Sequence, residues 1–190
     1  MKFSEREPYL QALDTALSPL GFNRSKRSYE WKHSIDVANT EWIHCNFGLG
    51  VINPSFGVRY SDLAELVPTD VGAVVGVICM LAPISGVSYS SATAPTLLAE
   101  HVLTVCIPHL RNLRNREAVI HSLETTDPKK WPVFGASHRM RLLPLLLAGG
   151  GQITEALEWL TRFEQAAPTM DQQIPKYAVF AKYLREKYVG

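Results

Sequence analysis

Cys106, His109 and His101 are the residues whose types and spacing come nearest to a catalytic set. Cys106 and His109 stand three residues apart, and His101 lies eight residues before His109. A thiol beside an imidazole is the arrangement of a nucleophile and its general base, and it would also supply half of a metal site. Cys106, however, belongs to an apolar helical stripe, and no second ligand pair with zinc spacing occurs. We therefore expect a buried thiol and solvated imidazoles, and a small hydrolase or transferase using Cys106 with His101 and His109 is the alternative.

His44 and Cys45 are adjacent and cannot form such a pair with each other. The pattern around them predicts a strand, and a strand turns successive side chains to opposite faces. Cys45 falls on the apolar face, where it would be a small core residue. His44 falls on the other face together with Trp42 and Asn46. This polar, aromatic strip predicts either a binding surface or a surface that lies under later helices.

Complete catalytic, nucleotide-binding and metal-binding motifs are absent from the sequence. It contains no GxSxG, HExxH, Walker loop or GxGxxG. Glu155 and Glu158 are three residues apart, but on the outer face of a predicted helix, where solvation explains them. We therefore expect no enzymatic activity, no cofactor and no metal site.

The charge pattern argues against nucleic acid as a partner. Lysine and arginine total 19 and the acidic residues total 18, a formal net charge of +1, so no global field attracts a polyanion. Basic residues cluster at 24–27 and 111–116, and they could hold phosphates if the fold brought them together. Since no RRM, KH or helix-turn-helix signature accompanies them, we interpret both clusters as solvated surface.

Length and composition predict one globular domain over residues 1–190. Hydrophobic residues make up 46% of the chain and charged residues 19%, which suits an ordered core. The longest apolar run, residues 71–81, is shorter than the about 20 residues that cross a bilayer as a helix, and the amino terminus lacks the apolar run of a signal peptide. The three cysteines form no CxxC pair, which fits reduced thiols in a cytoplasm. We expect a cytoplasmic protein with no membrane segment.

The strands that would position these residues lie between residues 28 and 60. Apolar residues alternate with polar ones there, the pattern of a sheet with one dry face and one wetter face. A turn is predicted at Asn53-Pro54-Ser55, and three consecutive antiparallel strands are the economical interpretation. The run 71–81 predicts a strand buried on both faces or a short buried helix, and residues 84–89 a partner strand. The inward positions of the central strand are Ile43, Cys45, Phe47, Leu49 and Val51.

Helical periodicity marks the start of the chain and its second half. Ser4 is the predicted cap of the first helix, and Gly21 is expected in the left-handed conformation after its end. A bend is expected at Pro108, because proline lacks the N–H that a helix interior requires. The predicted helices cover residues 5–17, 96–113, 117–123, 137–148, 153–168 and 173–188.

Strands followed by helices indicate an α+β fold. We expect an antiparallel sheet of three to five strands within residues 1–92. A sheet with a dry face needs a cover, and the C-terminal set of helices within residues 93–190 is available for it. The two portions are expected to share one core.

Two short motifs carry a resemblance to a known family. Leu-Gly-Phe ends the first predicted helix at residues 20–22, and Asn-Phe-Gly lies in a strand at residues 46–48. The chain resembles a bacterial family of uncharacterised small α+β domains in these motifs, over the first third and more loosely around residues 107–110. The resemblance implies no catalytic residues. Domains similar to these occur among immunity-type proteins, which neutralise a toxin by binding it.

The resulting hypothesis is a non-enzymatic, cytoplasmic protein-binding domain, an immunity-type inhibitor of a cognate bacterial toxin. A homo-oligomeric adaptor domain built on the helical tail is a further alternative. Trp and Arg are favoured as binding hot spots, and this preference, applied to aromatic or basic residues outside the core stripes, selects the candidate contacts. They are Trp42, His44, Arg59, Trp131 and Arg139.

Overall fold

Within the residues that the computed structural model describes, five strands form one sheet in the order β1-β2-β3-β4-β5. The described residues are 3–37, 39–47, 52–67, 76–80, 93–125, 135–166 and 174–189. The strands are β1 (Asn23–Arg24), β2 (Glu30–Ser34), β3 (Asn39–Asn46), β4 (Asn53–Tyr60) and β5 (Gly76–Met80).

One helix precedes the sheet, a short helix lies between β4 and β5, and the other described helices follow β5, so the predicted α+β class is confirmed. A 3-10 turn, Ser18–Leu20, follows the first helix, and a π-helical turn, Val102–Cys106, joins the third to the fourth. The helices are α1 (Phe3–Leu17), α2 (Ser61–Ala64), α3 (Ala94–His101), α4 (Ile107–Leu113), α5 (Arg116–Thr125), α6 (Gly135–Gly149), α7 (Ile153–Ala166) and α8 (Ile174–Val189).

The chain divides into two compact units, each made of two segments. Unit 1 comprises Met1–Val58 and Ile78–Arg114, and unit 2 comprises Arg59–Val77 and Asn115–Gly190. The single domain over residues 1–190, with its portions meeting at residue 92, stays a prediction.

The first three strands of the sheet, which belong to unit 1, have one dry face and one wetter face. β2 pairs antiparallel with both β1 and β3. Along β3 the side chains alternate between buried at Ile43 and Cys45 and half-buried at Trp42 and His44. The period-2 pattern of the sequence therefore predicts the two faces correctly. Residues 48–51, which continue that pattern, lie outside the described residues.

An ion pair with an added indole donor ties α1 to the sheet. The Arg24 guanidinium donates to both carboxylate oxygens of Asp14, at 2.9 and 2.6 Å. The Trp31 indole N–H donates to the same carboxylate at 2.7 Å. The hydrogen bond from Arg24 outweighs the effect of burial and, with Trp31, holds the pKa of Asp14 below its ordinary value. Three elements, α1, β1 and β2, thus meet at one carboxylate.

Helix α1 begins at Phe3 rather than at residue 5, so Ser4 is its second residue and not the predicted cap. Gly21 closes the following 3-10 turn with φ at 86°, the left-handed conformation that was predicted for it. This turn brings the chain from the end of α1 into β1.

The segment Ala94–Leu113 is helical throughout, but its hydrogen bonding changes in the middle. At the π-helical turn, the Ile107 N–H bonds to the carbonyl of Val102, five residues back. Pro108 follows immediately and has no N–H to donate to the Thr104 carbonyl. The irregularity observed here is therefore a one-turn widening placed just before Pro108, and the predicted bend at Pro108 stays a prediction.

The helices of unit 2 pack around α6, whose residues 142–148 are all buried. A helix that is apolar all round belongs in a core, and α5 and α7 both contact it. In α8 the inward stripe comprises Tyr177, Phe180, Ala181 and Leu184, which are all buried. Arg185 of α8 binds Glu164 of α7 through two hydrogen bonds of 2.7 and 2.6 Å.

One predicted turn is wrong. Asn53-Pro54-Ser55 is the start of β4, not a connection. The Ser55 hydroxyl donates to the carbonyl of His44 on β3 at 3.3 Å, a contact distant in sequence that local turn chemistry does not anticipate. Gly76–Met80, within the run 71–81, is a strand, whereas residues 84–89 and most of the 125–136 connection lie outside the described residues.

Candidate functional site

A buried carboxylate lies on the dry face of the sheet in unit 1. Glu41 of β3 is 1% exposed and is the buried charged side chain of the described part of the chain. The Arg114 guanidinium donates from Nε to Oε1 at 2.8 Å and from Nη2 to Oε2 at 3.0 Å. His33 Nδ1 lies 2.9 Å from Oε2, so it is the N–H donor when the carboxylate is ionised. Three donors therefore satisfy this one acceptor group.

The electrostatics of this cluster favour a charged Glu41. Burial by itself raises the pKa of Glu41, but the hydrogen bonds and positive charge of Arg114 and His33 outweigh it and leave the pKa below its ordinary value of 4.5. The hydrogen bond to Glu41 in turn raises the pKa of Arg114. A bidentate arginine–carboxylate pair is thus present at neutral pH.

Register and turn geometry position this cluster. His33 of β2 stands directly opposite Glu41 of β3, so both side chains project from the same face of the sheet. The Phe22 ring lies against the His33 ring, with centroids 5.2 Å apart. A Cβ atom on Gly21 would come within 3.0 Å of His33 Cδ2. Glycine at this turn therefore leaves the space that the imidazole occupies.

A small cavity of about 60 Å³ adjoins Glu41 within unit 1. Its apolar walls come from the 3-10 turn, from Phe22 just before β1 and from α4. The charged residues at the cavity are Glu41, Arg111 and Arg114. The apolar residues are Leu20, Phe22, Ile107 and Leu110.

The wetter face of the β2–β3 hairpin carries a strip of aromatic and charged side chains. Trp42 and His44 are half-buried there. By register Lys32 lies opposite Trp42, and Glu30 lies opposite His44. Lys32 and Glu30 form an ion pair of 3.1 Å, and the Lys32 side chain is 55% exposed. We call these four residues the hairpin strip.

The structure divides the predicted contact residues between the two units. Trp42 and His44 belong together in the hairpin strip of unit 1. Arg59 is exposed on β4, within unit 2. Arg139 of α6 is half-buried, burial lowers its pKa, and its Nη2 donates to the Glu124 carbonyl at 3.2 Å. Trp131 lies outside the described residues.

The candidate nucleophile is enclosed in the core. Cys106 is 0% exposed, which confirms the expected buried thiol. His109 is exposed and stacks on Phe56 with centroids 6.1 Å apart, and His101 is half-buried. Burial also raises the pKa of Cys45 to about 12. A nucleophilic thiol must be reached by its substrate, so neither side chain meets that requirement in this conformation.

Neither a metal cluster nor a membrane span is found in the part of the chain that the structure describes. No group of three or more His, Cys, Asp or Glu side chains there could hold a metal ion. No helix among the described segments is both long enough and apolar enough to cross a bilayer.

The interpretation of the basic clusters as solvated surface is wrong for Arg24 and Arg116, whose side chains are 11% and 25% exposed, and it holds only in part for Arg114, which is 42% exposed but paired. Arg24, Arg114 and Arg116 each form a bidentate pair with a carboxylate of their own unit, on Asp14, Glu41 and Asp62 respectively. A signal for the second pair existed, because Glu41 is in phase with the apolar Ile43 and Cys45. A carboxylate on a dry face needs a cation.

Comparison with known proteins finds no matching family model, no matching curated protein and no matching solved structure. The resemblance to small bacterial α+β domains therefore stays a prediction. Any proposal about function depends on the geometry of the described residues.

Proposed function

We propose that this chain is a non-enzymatic protein-binding domain, an immunity-type protein that neutralises a bacterial toxin by masking it in the cytoplasm. The observation that carries the proposal is the hairpin strip. It presents a partly exposed tryptophan on a strand whose opposite face is locked into a core. Buried thiols at Cys45 and Cys106 suit the reducing compartment.

The composition of the strip supports recognition of another protein. Trp42 offers a large apolar surface with only two rotatable side-chain bonds, so holding it in a complex costs little conformational entropy. Lys32 and Glu30 flank it with both signs of charge. An aromatic centre with a charged rim is the anatomy of a specific protein interface.

Rigidity of the strand beneath supports the same proposal. Ile43 and Cys45, the neighbours of Trp42 and His44 along β3, are 0% exposed. Glu41 is held by three hydrogen bonds on the same side. A preorganised strand loses little freedom on binding, which favours affinity.

The size of such an interface sets a requirement on the partner. Stable complexes bury about 1,200–2,000 Å² in total, which is more than four side chains supply. The toxin must therefore cover surface beyond the hairpin strip, and the strip would be its energetic centre.

The test is co-expression and pull-down with toxins encoded by neighbouring genes, followed by affinity measurement on any complex. Trp42→Ala should weaken binding about 30-fold or more, equivalent to about 2 kcal/mol. Trp159→Ala is the control for loss of a half-buried tryptophan, because Trp159 is also half-buried but lies on α7, outside the hairpin strip. Its affinity should equal that of the wild type.

Two results would count against the proposal. One is the absence of both a complex and rescue from toxicity with every neighbouring toxin. The other is an equal loss of affinity in both tryptophan variants. A stable homo-oligomer that dissociates when α8 is altered would support the adaptor alternative instead.

A further inference from the structure

The cavity beside Glu41 is separate from the hairpin strip, because Glu41 projects from the opposite face of β3. Its walls combine four apolar residues with the exposed ends of two arginines. Phe22, Ile107 and Leu110 are each at least nine-tenths buried, so the walls belong to the packed core and hold their shape.

The charges at this cavity are not balanced. Arg114 uses Nε and Nη2 to neutralise Glu41, and its Nη1 has no hydrogen-bond partner within the described ranges. The Arg114 side chain is 42% exposed. Arg111 is also exposed, and it forms no ion pair with an acidic residue of the described segments. One cation is therefore left over at the cavity.

The end of α4 opposes this charge only in part. A helix C-terminus contributes about half a negative charge, whereas Arg111 contributes a full positive charge. The local charge thus remains positive after Glu41 and Arg114 cancel. An anion carrying one negative charge complements it.

The volume limits which part of a ligand can be enclosed. An engineered apolar cavity of about 150 Å³ admits benzene, and this cavity measures about 60 Å³. The space is therefore too small to enclose an aromatic ring, and it suits a short branched aliphatic group against Leu20 and Ile107.

We propose that this cavity binds a small aliphatic monocarboxylate. Arg111 and the outer Nη1 of Arg114 hold the carboxylate, and the aliphatic group enters the pocket between Phe22 and Leu110. The chemistry is shared by a free short-chain acid and by the carboxyl end of a peptide with a small aliphatic last residue. The binding is independent of the toxin-binding proposal, since it uses the other face of the sheet.

The experiment titrates the full chain with three probes and follows amide ¹H–¹⁵N shifts. Isobutyrate represents the free acid, N-acetylvaline the peptide end, and isobutyramide is the uncharged control. We expect saturable shifts at residues 107–114 with isobutyrate or N-acetylvaline, with a Kd of about 1–10 mM, as small ligands reach. Isobutyramide should bind at least about tenfold more weakly, because it lacks the charge-assisted hydrogen bonds.

Arg111→Gln is the test variant, and Arg27→Gln is its matched control. Both arginines are exposed residues of unit 1, so both variants should fold, which their spectra verify. Arg111→Gln should weaken isobutyrate binding about tenfold, and Arg27→Gln should leave it unchanged. Tighter binding of N-acetylvaline would identify a peptide end, and tighter binding of isobutyrate a free acid.

Three results would overturn the proposal. They are no saturable shift with either acid, equal binding of the amide, and equal effects of the two arginine variants. Each of these leaves the toxin pull-down with Trp42→Ala unaffected, so the two proposals fail separately.

Discussion

Arg114 binds both carboxylate oxygens of Glu41, a residue that lies 73 positions earlier in the chain. Glu41 is 1% exposed and Arg114 is 42% exposed. The pair therefore joins the residue after α4 to the middle of β3, and it places a full negative charge inside unit 1. Because Glu41 is buried and Arg114 is partly exposed, loss of Arg114 leaves an unpaired charge inside the core.

Removal of Arg114 should destabilise the protein more than removal of its exposed neighbour. In Arg114→Met the carboxylate of Glu41 stays buried with only His33 beside it. Breaking a buried pair costs about 3–5 kcal/mol, and exposure of the arginine reduces this to about 1–3 kcal/mol. Arg111→Met is the control and should change the free energy of unfolding by less than about 0.5 kcal/mol.

Urea denaturation of both variants provides the measurement. The double variant Glu41→Leu/Arg114→Met should recover part of the lost stability, because an apolar pair leaves no unpaired charge. Equal unfolding free energies for Arg114→Met and Arg111→Met would contradict the role of the pair.

Acid should weaken the wild type through Glu41. Its pKa is lower in the folded protein than the ordinary value of 4.5, so folding stability from this group is fully present above that value. This contribution to stability is lost as the pH falls below 4.5 and through the pKa of the folded state. Over that range the unfolded state binds more protons than the folded state does. Glu41→Gln should show a smaller loss of unfolding free energy between pH 6 and pH 3.

The control for this acid series is Glu155→Gln, since Glu155 is exposed on α7. Its pH profile should run parallel to that of the wild type. Asp14, whose pKa is also lowered, remains in both variants and gives a common acid dependence. A Glu41→Gln profile parallel to the wild type would disagree with the prediction.

Alanine at Gly21 should cost more than alanine at Gly151. Both glycines have positive φ, at 86° and 81°, so both substitutions carry a backbone strain of about 1 kcal/mol. A Cβ at Gly21 also meets His33 Cδ2 at 3.0 Å, whereas nothing lies within 4 Å of one at Gly151. The difference in unfolding free energy between the two variants measures the cost of the contact with His33. A larger loss of stability for Gly151→Ala than for Gly21→Ala would contradict the prediction.

Alanine at Gly149 should destabilise unit 2 although Gly149 ends a helix. Higher helix propensity favours alanine by about 1 kcal/mol, but its Cβ would lie 2.7 Å from Cδ2 of Leu63 and 3.3 Å from Nη1 of Arg116. Leu63 is 0% exposed, so the overpacking cost of about 1–3 kcal/mol should prevail. Gly150→Ala meets only contacts of 3.4 Å or more and should be tolerated in thermal unfolding.

The native thiols Cys45 and Cys106 should resist chemical modification. A Cys79→Ala variant reduces the thiols to these two, which are both 0% exposed. Modification by a disulfide reagent should be slow at pH 7 and should rise little at pH 9, since the pKa of Cys45 is near 12. Denaturant should expose both thiols at once. Labelling of one thiol within seconds in the native protein would revive the hypothesis of a cysteine nucleophile.

Local pattern alone was sufficient for the long helices and for the two faces of β3. Ile43 and Cys45 alternate with Trp42 and His44, and side-chain direction in a strand depends only on this period of two. The left-handed Gly21 was equally predictable, because it follows from the covalent structure of a single residue.

Pairing between distant residues required the tertiary structure. The basic cluster at 111–116 looks solvated in sequence, because Arg114 and Arg116 meet their carboxylates 73 and 54 positions away. The start of β4 at Asn53 also depends on a distant contact. Residues that commonly form turns become part of a strand there, and the Ser55 hydroxyl donates to the His44 carbonyl of β3. Local sequence thus determined which side of each element faces the core, whereas the fold decided which charges meet there, because ion pairs depend on distances in space that no sequence spacing encodes.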